Sequence, residues 1–290
     1  MDKQGYKKLS ILGYGAFAKV YLVKKEEQKY AMKEIENIES FFNKAMIEIN
    51  ILKHCHHINI PYYNNHHIFT KYIYVILEHC NGLDLWELLQ KQYHHCFSIS
   101  QTLHYVKQIL EGLIYLHSQG IIHRDLKLEN ILTTKSNIIK IIDYNLSTFD
   151  VNAIKTISFI KPYSKEHGVV TRSNKILTGV YGTPEYLAPE ILNSLPYTDM
   201  VDWWAFGIMI YELIYGQTPF TCVSYEQMLN KIKLGYFELL PMTLAGEEVN
   251  DITKDIIIKL LNQQNDKRLG FIGGGEEIKD HFFFNTHNLF

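Results

Sequence analysis

The feature that most constrains this chain is a polar segment, residues 121–132, bounded at both ends by β-branched apolar residues. It reads Ile-Ile-His-Arg-Asp-Leu-Lys-Leu-Glu-Asn-Ile-Leu, and a second apolar run, residues 138–142, follows and ends at Asp143. Two acids, two bases, a histidine and an amide are expensive to place between strands, because buried polar groups need partners. We therefore expect this segment to be a loop that lines a functional site.

The pattern His-Arg-Asp-Leu-Lys-x-x-Asn, with an aspartate after the next strand, resembles the catalytic loop and metal-binding aspartate of the protein kinases. Phosphoryl transfer needs a carboxylate that accepts the proton of the attacking hydroxyl, a cation near the transferred group, and oxygen ligands for Mg²⁺. The resemblance assigns the first two roles to Asp125 and Lys127, and the metal to Asn130 and Asp143. The alternative is a solvated polar turn in a generic α/β protein.

Length, composition and charge restrict the class of protein. The 290 residues, 47% of them hydrophobic, suffice for one large domain or two lobes. A formal net charge of −2 gives no field that would draw the chain onto nucleic acid or an anionic membrane. We expect a monomer that binds neither.

The cellular compartment is predicted from what the sequence does not carry. Four cysteines are scattered without paired spacing, no apolar run is long enough for a membrane span, and the polar N-terminus resembles no secretion signal. These features predict a cytoplasmic protein, with access to the nucleus left open. Histidines cluster at residues 54–57 and 66–67, but their spacing fits no zinc pattern, which favours a polar connection.

Residues 9–23 predict a strand, a glycine turn and a second strand. Gly13 and Gly15 would let the backbone pass close to phosphate groups, since they carry no Cβ. A dinucleotide-binding motif needs a helix directly after its glycines, whereas residues 20–29 read as strand and hairpin. A kinase-type phosphate loop is favoured on that ground. Ala18 replaces the third glycine of that family, and its methyl group should narrow the loop's flexibility without removing the phosphate cradle.

Residues 30–35 predict a short strand in which Lys33 resembles the kinase lysine that contacts the α- and β-phosphates. Residues 44–53 predict a helix, and Glu48 lies among its apolar positions, where an unpaired carboxylate would be costly. The family implies that Lys33 is its partner. Three other carboxylates are alternatives, although they precede the predicted helix: Glu34, Glu36 and Glu39.

An apolar strand at residues 72–77 is broken by Glu-His-Cys-Asn-Gly. The resemblance implies a hinge between two lobes here, with Leu77 as gatekeeper and the backbone of Glu78 and Cys80 against adenine. Asp84 falls where the family has an acid near the ribose, and it could also cap the helix that begins at the next residue. The resemblance implies further ATP-binding residues: Leu12, Val20, Ala31 and Leu132.

The triplet Asp-Tyr-Asn, residues 143–145, stands where the family has Asp-Phe-Gly. Tyr144 keeps the aromatic ring. Asn145 replaces a glycine that permits unusual backbone angles, and asparagine is among the better substitutes at positive φ. We expect Mg²⁺ binding to survive, while the ease with which the segment switches is left open.

Residues 146–178 are polar, basic and aperiodic, which predicts a mobile activation segment within residues 143–190. The run Gly-Thr-Pro-Glu-Tyr-Leu-Ala-Pro-Glu closes it. Gly179 stands where relatives commonly carry an activating phosphothreonine, so an upstream activating kinase and pairing of the phosphate with Arg124 are left open. Three residues are candidate phosphosites: Thr178, Thr171 and Ser173.

Residues 197–207 open a helix that its aromatic and aliphatic neighbours predict to be buried. Asp202 would then need donors, which the family finds in the catalytic-loop backbone, and Arg268 is the expected partner of Glu190. Together with the segment that closes at Glu190 and the Arg-Leu-Gly ending, these features resemble the AGC group of serine/threonine kinases. The resemblance covers nearly the whole chain but not the C-terminal tail of that group.

The resemblance implies an α+β, two-lobed protein-kinase fold that forms one domain over residues 1–290. Residues 1–79 would form a small antiparallel β-sheet lobe with one regulatory helix, and residues 80–290 a larger, mostly helical lobe. The implied activity transfers the γ-phosphate of ATP, with Mg²⁺, to serine or threonine of protein substrates. Lys127 supports this acceptor class, because tyrosine kinases lack a lysine at this offset.

Three acids match positions that read arginines upstream of the phosphoacceptor in basophilic relatives: Asp84, Glu129 and Glu212. Thr183 is assigned to substrate recognition by the same resemblance. A substrate with basic flanks is expected, and the alternative is that the acids are merely solvated. A pseudokinase is the alternative from another class, and the departures that favour it are Ala18, Asn145 and Gly179. Five intact residues oppose it: Lys33, Glu48, Asp125, Asn130 and Asp143.

Overall fold

The computed structural model describes residues 5–15, 18–148 and 176–285. Its N-terminal part is a five-stranded antiparallel sheet with the spatial order β1-β2-β3-β5-β4, and one helix, α1, joins β3 to β4. The elements are β1 (Lys7–Tyr14), β2 (Ala18–Lys25), β3 (Gln28–Glu36), α1 (Glu39–His54), β4 (Tyr63–Ile68) and β5 (Tyr72–Glu78).

Side-chain alternation along β3 sorts its residues between the two faces of the sheet. Met32 packs on one face with Val23 and other buried residues, whereas Ile35 packs on the opposite face against Ala45 and Ile49 of α1. Lys33, two residues before Ile35, therefore points to the face that α1 covers.

Helix α1 begins earlier than the sequence predicts. The prediction placed Glu39 before the helix, but Glu39 is its first residue. Ile38 occupies the N-cap position and cannot supply a capping oxygen, so no cap signal marked this boundary in the sequence. Glu48 is 2% exposed and lies beside the buried Ile49, as its place in the apolar face indicated.

The C-terminal part is mostly helical and carries one small two-stranded sheet. Its elements are α2 (Leu85–Gln90), α3 (Ile99–Ser118), β6 (Ile131–Thr133), β7 (Ile139–Ile141), α4 (Pro189–Leu192), α5 (Met200–Tyr215), α6 (Tyr225–Leu234), α7 (Asp251–Leu260), α8 (Gly274–Lys279) and α9 (Phe282–Asn285). The predicted α+β class is confirmed. None of the helices in the described residues is both long and apolar enough to cross a membrane.

Two helices provide the frame that holds the loop at residues 121–132. Helix α3 starts with a capping box in which Ser98 and Gln101 bond each other's backbone, and it ends just before Gly120, whose φ is +69°. Helix α5 is buried along its whole length. Because both helices are fixed in the main apolar core, the polar loop between α3 and β6 has a rigid base.

Candidate active site

A cavity of about 920 Å³ lies between the five-stranded sheet and the helical part of the chain. This volume is in the range that ligand pockets usually have. Gly13 and Lys33 line it from the sheet, and Asp125, Asn130 and Asp143 line it from the loops that flank β6 and β7. The structure therefore brings together residues that lie far apart in the sequence.

Lys33 joins the sheet, helix α1 and the segment after β7. Its Nζ donates to Oε1 and Oε2 of Glu48 at 2.9 and 2.8 Å, and to Oδ1 of Asp143 at 2.9 Å. Burial alone would lower the pKa of Lys33, but the two carboxylates raise it above its ordinary value. Lys33 therefore stays charged. Burial likewise opposes the charged form of Asp143, yet Lys33 holds the pKa of Asp143 below its usual range.

Hydrogen bonds fix the side chain of Asp125 in one orientation. Asn130 Nδ2 donates to the backbone oxygen of Asp125 at 2.7 Å and to its Oδ2 at 3.3 Å. Thr183 Oγ1 donates to Asp125 Oδ1 at 2.9 Å and accepts from Lys127 Nζ at 2.8 Å. Lys127 Nζ is itself 3.6 Å from Asp125 Oδ2. This arrangement gives a carboxylate flanked by a cation and a hydroxyl at the edge of the cavity.

The backbone before Asp125 adopts an unusual conformation that a buried carboxylate supports. Arg124 has a φ of +67°, which is costly for any residue that carries a Cβ. Asp202 accepts from the backbone nitrogens of His123 and Arg124 at 2.8 and 2.9 Å, and its Oδ2 lies 2.8 Å from His117 Nε2. Although burial opposes its charge, the hydrogen bond with His117 lowers the pKa of Asp202, so it remains an acceptor.

The segment that closes at Glu190 packs directly on this loop. Gly182 has a φ of +114°, and a Cβ at that position would lie 2.6 Å from the backbone oxygen of Arg124. Only glycine permits this approach. Thr183 follows it and so reaches Asp125, which explains how a distant threonine enters the site.

Asn145 does not use the backbone freedom that the sequence suggested. The described non-glycine residues with positive φ include Asp143, at +68°, but not Asn145. Instead, Asn145 Nδ2 donates to Asp143 Oδ1 at 2.6 Å. The tolerance of asparagine for positive φ is therefore not used at this position. Tyr144 is fully buried and its hydroxyl donates to the backbone oxygen of Ile141 at 2.7 Å, which accommodates the change from phenylalanine.

Ala18, which replaces the third glycine of the family's phosphate loop, lies at the start of β2. It is 8% exposed and packs in the cluster that includes Ile35 and Ala45. Its methyl group thus extends the apolar core of the sheet while Ala18 still lines the cavity. Gly15, whose nitrogen donates to the Ala18 oxygen at 2.8 Å, closes the turn before it.

The predicted hinge residues lie at the end of β5 and line the cavity. The other predicted ATP-binding residues line it as well, and together these residues are Leu12, Gly15, Val20, Ala31, Glu48, Leu77, Glu78, Cys80, Asp84 and Leu132.

The side chain of Glu78 accepts hydrogen bonds from Tyr62 N at 3.0 Å and from Lys140 Nζ at 2.7 Å. Lys140, which is 8% exposed, was not predicted from the sequence to belong to the site. Its position within the run Ile-Ile-Lys-Ile-Ile could have indicated a buried cation, which needs a partner.

Asp84 caps helix α2, since its side chain accepts from Glu87 N at 2.7 Å. Burial raises its pKa, which the hydrogen bond from Glu87 opposes. Asp84 also lines the cavity, and a role beside the ribose stays a prediction. Gly82 precedes it at a close crossing, where a Cβ would lie 2.5 Å from the backbone oxygen of Thr133.

The three predicted substrate-binding acids differ in environment. Asp84 and Glu129 line the cavity, whereas Glu212 is buried on α5 and accepts a very short hydrogen bond from Tyr186. Burial raises the pKa of Glu212 to about 7, and repulsion from Glu129 and Glu185 adds to this. Glu185 is a fourth acid that was not predicted from the sequence, although it lies in the Gly-Thr-Pro-Glu motif.

The candidate phosphosites are only partly placed. Thr178 is exposed, and its neighbour Leu177 pairs with Tyr197 through two backbone hydrogen bonds. Thr171 and Ser173 lie outside the described residues. The Arg124 guanidinium donates to the Leu146 oxygen at 2.6 Å, and its pairing with a phosphate stays a prediction.

Metal binding by the histidine-rich segments finds no support in the part of the chain that the structure describes. No group of three or more histidine, cysteine, aspartate or glutamate side chains there could hold a metal ion. His57 instead stacks on Tyr115, with ring centroids 4.9 Å apart. A Mg²⁺ site does not depend on such a group, because this ion keeps several waters and binds one or two carboxylates plus phosphates.

Comparison with known proteins identifies the family. The Protein kinase domain model matches residues 6–284. Serine/threonine-protein kinase nrc-2 of Neurospora crassa is 32% identical over 98% of this chain and 47% of its own length. Flippase kinase 1 of Saccharomyces cerevisiae is 31% identical over 97% of this chain and 32% of its own length. Serine/threonine-protein kinase Sgk1 of Gallus gallus is 33% identical over 97% and 60%, respectively.

The chain spans from about a third to three fifths of the length of these curated relatives. The names of nrc-2 and Sgk1 confirm the predicted resemblance to serine/threonine kinases, and the likeness to Sgk1 fits an AGC-like member. With the two-part fold and the family match over residues 6–284, this chain belongs to the protein kinase family.

Proposed function

We propose that this chain transfers the γ-phosphate of ATP to serine or threonine side chains of protein substrates. One observation carries the proposal: Lys33, Asp125, Asn130 and Asp143 converge on a single cavity from three separate parts of the chain, namely β3, the loop before β6 and the segment after β7. Such a set supplies a cation, a base and oxygen ligands at one place, which are the groups that phosphoryl transfer requires.

The chemistry of the donor set fits ATP and Mg²⁺. Asp143 and Asn130 offer the carboxylate and amide oxygens that Mg²⁺ takes as ligands. Lys33 offers a charged ammonium to phosphate oxygens, and Gly13, at which an added Cβ would meet nothing within 4 Å, leaves open space beside the cavity. When bound, the metal would neutralise charge on the phosphates and so lower the barrier to transfer.

The chain's own residues would orient the acceptor. Asp125 holds its carboxylate beside Lys127 and Thr183, where an incoming hydroxyl could donate its proton to it. Lys127 would stabilise negative charge on the transferred group. Asp202 would act indirectly, because it fixes the backbone that carries Asp125.

The test is transfer of labelled γ-phosphate to matched peptides that differ only in their acceptor. Serine and threonine peptides should be labelled in a Mg²⁺-dependent reaction. The tyrosine peptide should be labelled at least about tenfold more slowly, because even a small difference in transition-state binding between the acceptors produces a rate ratio of that size. Equal labelling of tyrosine would refute the acceptor class. No labelling of any peptide, even after treatment with an upstream kinase, would favour the pseudokinase.

The substrate class we propose is a peptide with arginine upstream of the acceptor. Its support is the acidic group formed by Asp84, Glu129 and Glu212, in which burial raises the pKa of Asp84 and Glu212 and repulsion from Glu129 adds to the increase. An arginine would relieve that repulsion. An activating kinase acting on Thr178, a monomeric state and a cytoplasmic location stay predictions.

Recognition of arginine should depend on pH through Glu212. Since its pKa is raised to about 7, the carboxyl is mostly protonated at pH 6 and mostly ionised at pH 8. The ratio of kcat/KM for an arginine peptide to that for its alanine-substituted match should therefore increase roughly five- to tenfold over this range. Using the ratio cancels pH effects on the chemical step. Glu212→Gln should make the ratio independent of pH, and a flat ratio in the unmodified protein would contradict the assignment.

A further inference from the structure

The side chain of Asn145 forms a contact that the family's glycine cannot make. Its Nδ2 lies 2.6 Å from Asp143 Oδ1, and Lys33 Nζ lies 2.9 Å from the same oxygen. Both bonds are charge-assisted, since the acceptor is a carboxylate. One oxygen of Asp143 is thus held from two directions, by the sheet and by the residue two positions along the chain.

The backbone around Asp143 is fixed independently of these bonds. Tyr144 is fully buried, and His123 Nε2 lies 3.0 Å from the backbone oxygen of Ile142. The backbone therefore sets where Asp143 lies, while Lys33 and Asn145 set how its carboxylate is turned. Among the described residues, Oδ2 of Asp143 receives no hydrogen bond, and Asp143 lines the cavity.

The two donors are not equivalent when a nucleotide binds. In the proposed function Lys33 also serves the phosphates, and in the structure it already divides its protons between Glu48 and Asp143. Asn145 makes no other hydrogen bond among the described residues, so its amide is committed to Asp143.

We infer that Asn145 is a positioning residue for Mg²⁺: its amide holds Asp143 Oδ1 so that the carboxylate is already oriented to receive the metal with the nucleotide. The inference rests on the proposed function, and it assigns a role to a position at which the Asp-Phe-Gly pattern of the family has glycine. Partners that orient a metal ligand typically affect metal affinity or activity about 10- to 100-fold.

Calorimetric titration with a non-hydrolysable ATP analogue, in MgCl₂ and separately in EDTA, tests this. Asn145→Ala removes the amide and keeps ordinary backbone freedom, whereas Asn145→Gly restores the family residue. Both variants should bind the analogue about tenfold or more weakly in Mg²⁺. In EDTA, the affinity of both variants should stay within about twofold of that of the unmodified protein, well below a tenfold change, which represents 1.4 kcal/mol. Melting temperatures without nucleotide should stay within about 5 °C of that of the unmodified protein, the shift expected from the loss of one hydrogen bond.

The matched control is Asn193→Ala. Asn193 lies at the C-terminal end of α4, elsewhere in the helical part, and does not line the cavity. The affinities of this variant should equal those of the unmodified protein. Unchanged affinity in both Asn145 variants, or an equal loss with and without Mg²⁺, would overturn the inference. A loss in Asn145→Gly alone would also overturn it, because backbone freedom and not the amide would then be responsible. If the unmodified protein bound no nucleotide, the proposed function itself would fail.

Discussion

Asp125→Asn is expected to lower kcat for peptide phosphorylation about 10²- to 10⁴-fold, the range that a positioned general base contributes. The amide keeps the size of the side chain and can still accept from Thr183, which now donates to Asp125 Oδ1 at 2.9 Å. It cannot take a proton from the acceptor hydroxyl. Because Asn130 and Asp143 are unchanged, affinity for the nucleotide should stay within about threefold, which is less than 1 kcal/mol.

Single-turnover labelling and calorimetry on the same preparations separate the two effects. The control is Asp255→Asn on α7, where the carboxylate is about half exposed and pairs with Lys259 at the surface. That change should leave kcat unaltered. A kcat for Asp125→Asn within threefold of the unmodified protein would remove Asp125 from the proposed mechanism.

Arg268→Ala should reduce the free energy of unfolding by about 3–5 kcal/mol, the cost of leaving one partner of a buried ion pair without the other. Arg268 is 1% exposed, and its Nη1 and Nη2 donate to Glu190 Oε1 and Oε2 at 2.7 and 2.9 Å. Its Nη1 also reaches the Met200 oxygen, and its Nε the Asn262 oxygen. The guanidinium therefore ties the end of the activation segment to α5.

Urea denaturation measures this loss. Lys259→Ala removes an exposed ion pair with Asp255 and should cost less than about 1 kcal/mol. If Arg268→Ala does not fold, Arg268→Lys provides a milder change, which keeps the charge but loses the bidentate geometry, and should still cost more than Lys259→Ala. If Arg268→Ala lowered the free energy of unfolding by less than about 1 kcal/mol, the pair would contribute no more than an exposed ion pair, and the prediction would be wrong.

Much of the fold was predictable because its signals are local or rest on fixed spacing. Three kinds of pattern predicted the elements that the structure has: the glycine turn with the hairpin after it, the apolar faces of α1 and α3, and the apolar run of α5. The boundary of α1 was not predictable. Its first residue, Glu39, follows Ile38, which offers no capping side chain, and helix starts are read mainly from caps.

The site was predictable to the extent that unusual residues in apolar surroundings require partners. Glu48 in an apolar helix face and Asp202 in an apolar helix both indicated buried acceptors, and each accepts hydrogen bonds in the structure. The same reasoning could have indicated that Lys140, which was not predicted, needs a partner. The identity of that partner, Glu78, depends on how β5 and β7 approach each other. Sequence spacing carries no information on that distance.

The role of Asn145 shows a different limit. A residue that replaces glycine is naturally judged by its backbone angles, and from the sequence Asn145 was weighed only by its tolerance of positive φ. The structure assigns the positive φ to Asp143 and uses the Asn145 side chain as a donor. No local sequence pattern specifies the side-chain conformation that makes this bond.

The central claim is that these side chains surround a magnesium-bound nucleotide, and a crystal structure with Mg²⁺ and a non-hydrolysable ATP analogue tests it most directly. We expect the Lys33 ammonium within hydrogen-bonding distance of phosphate oxygens, a metal on Asp143 and Asn130, and adenine against the backbone of Glu78 and Cys80. Phosphates located away from Lys33, or a metal that neither Asp143 nor Asn130 touches, would contradict the claim.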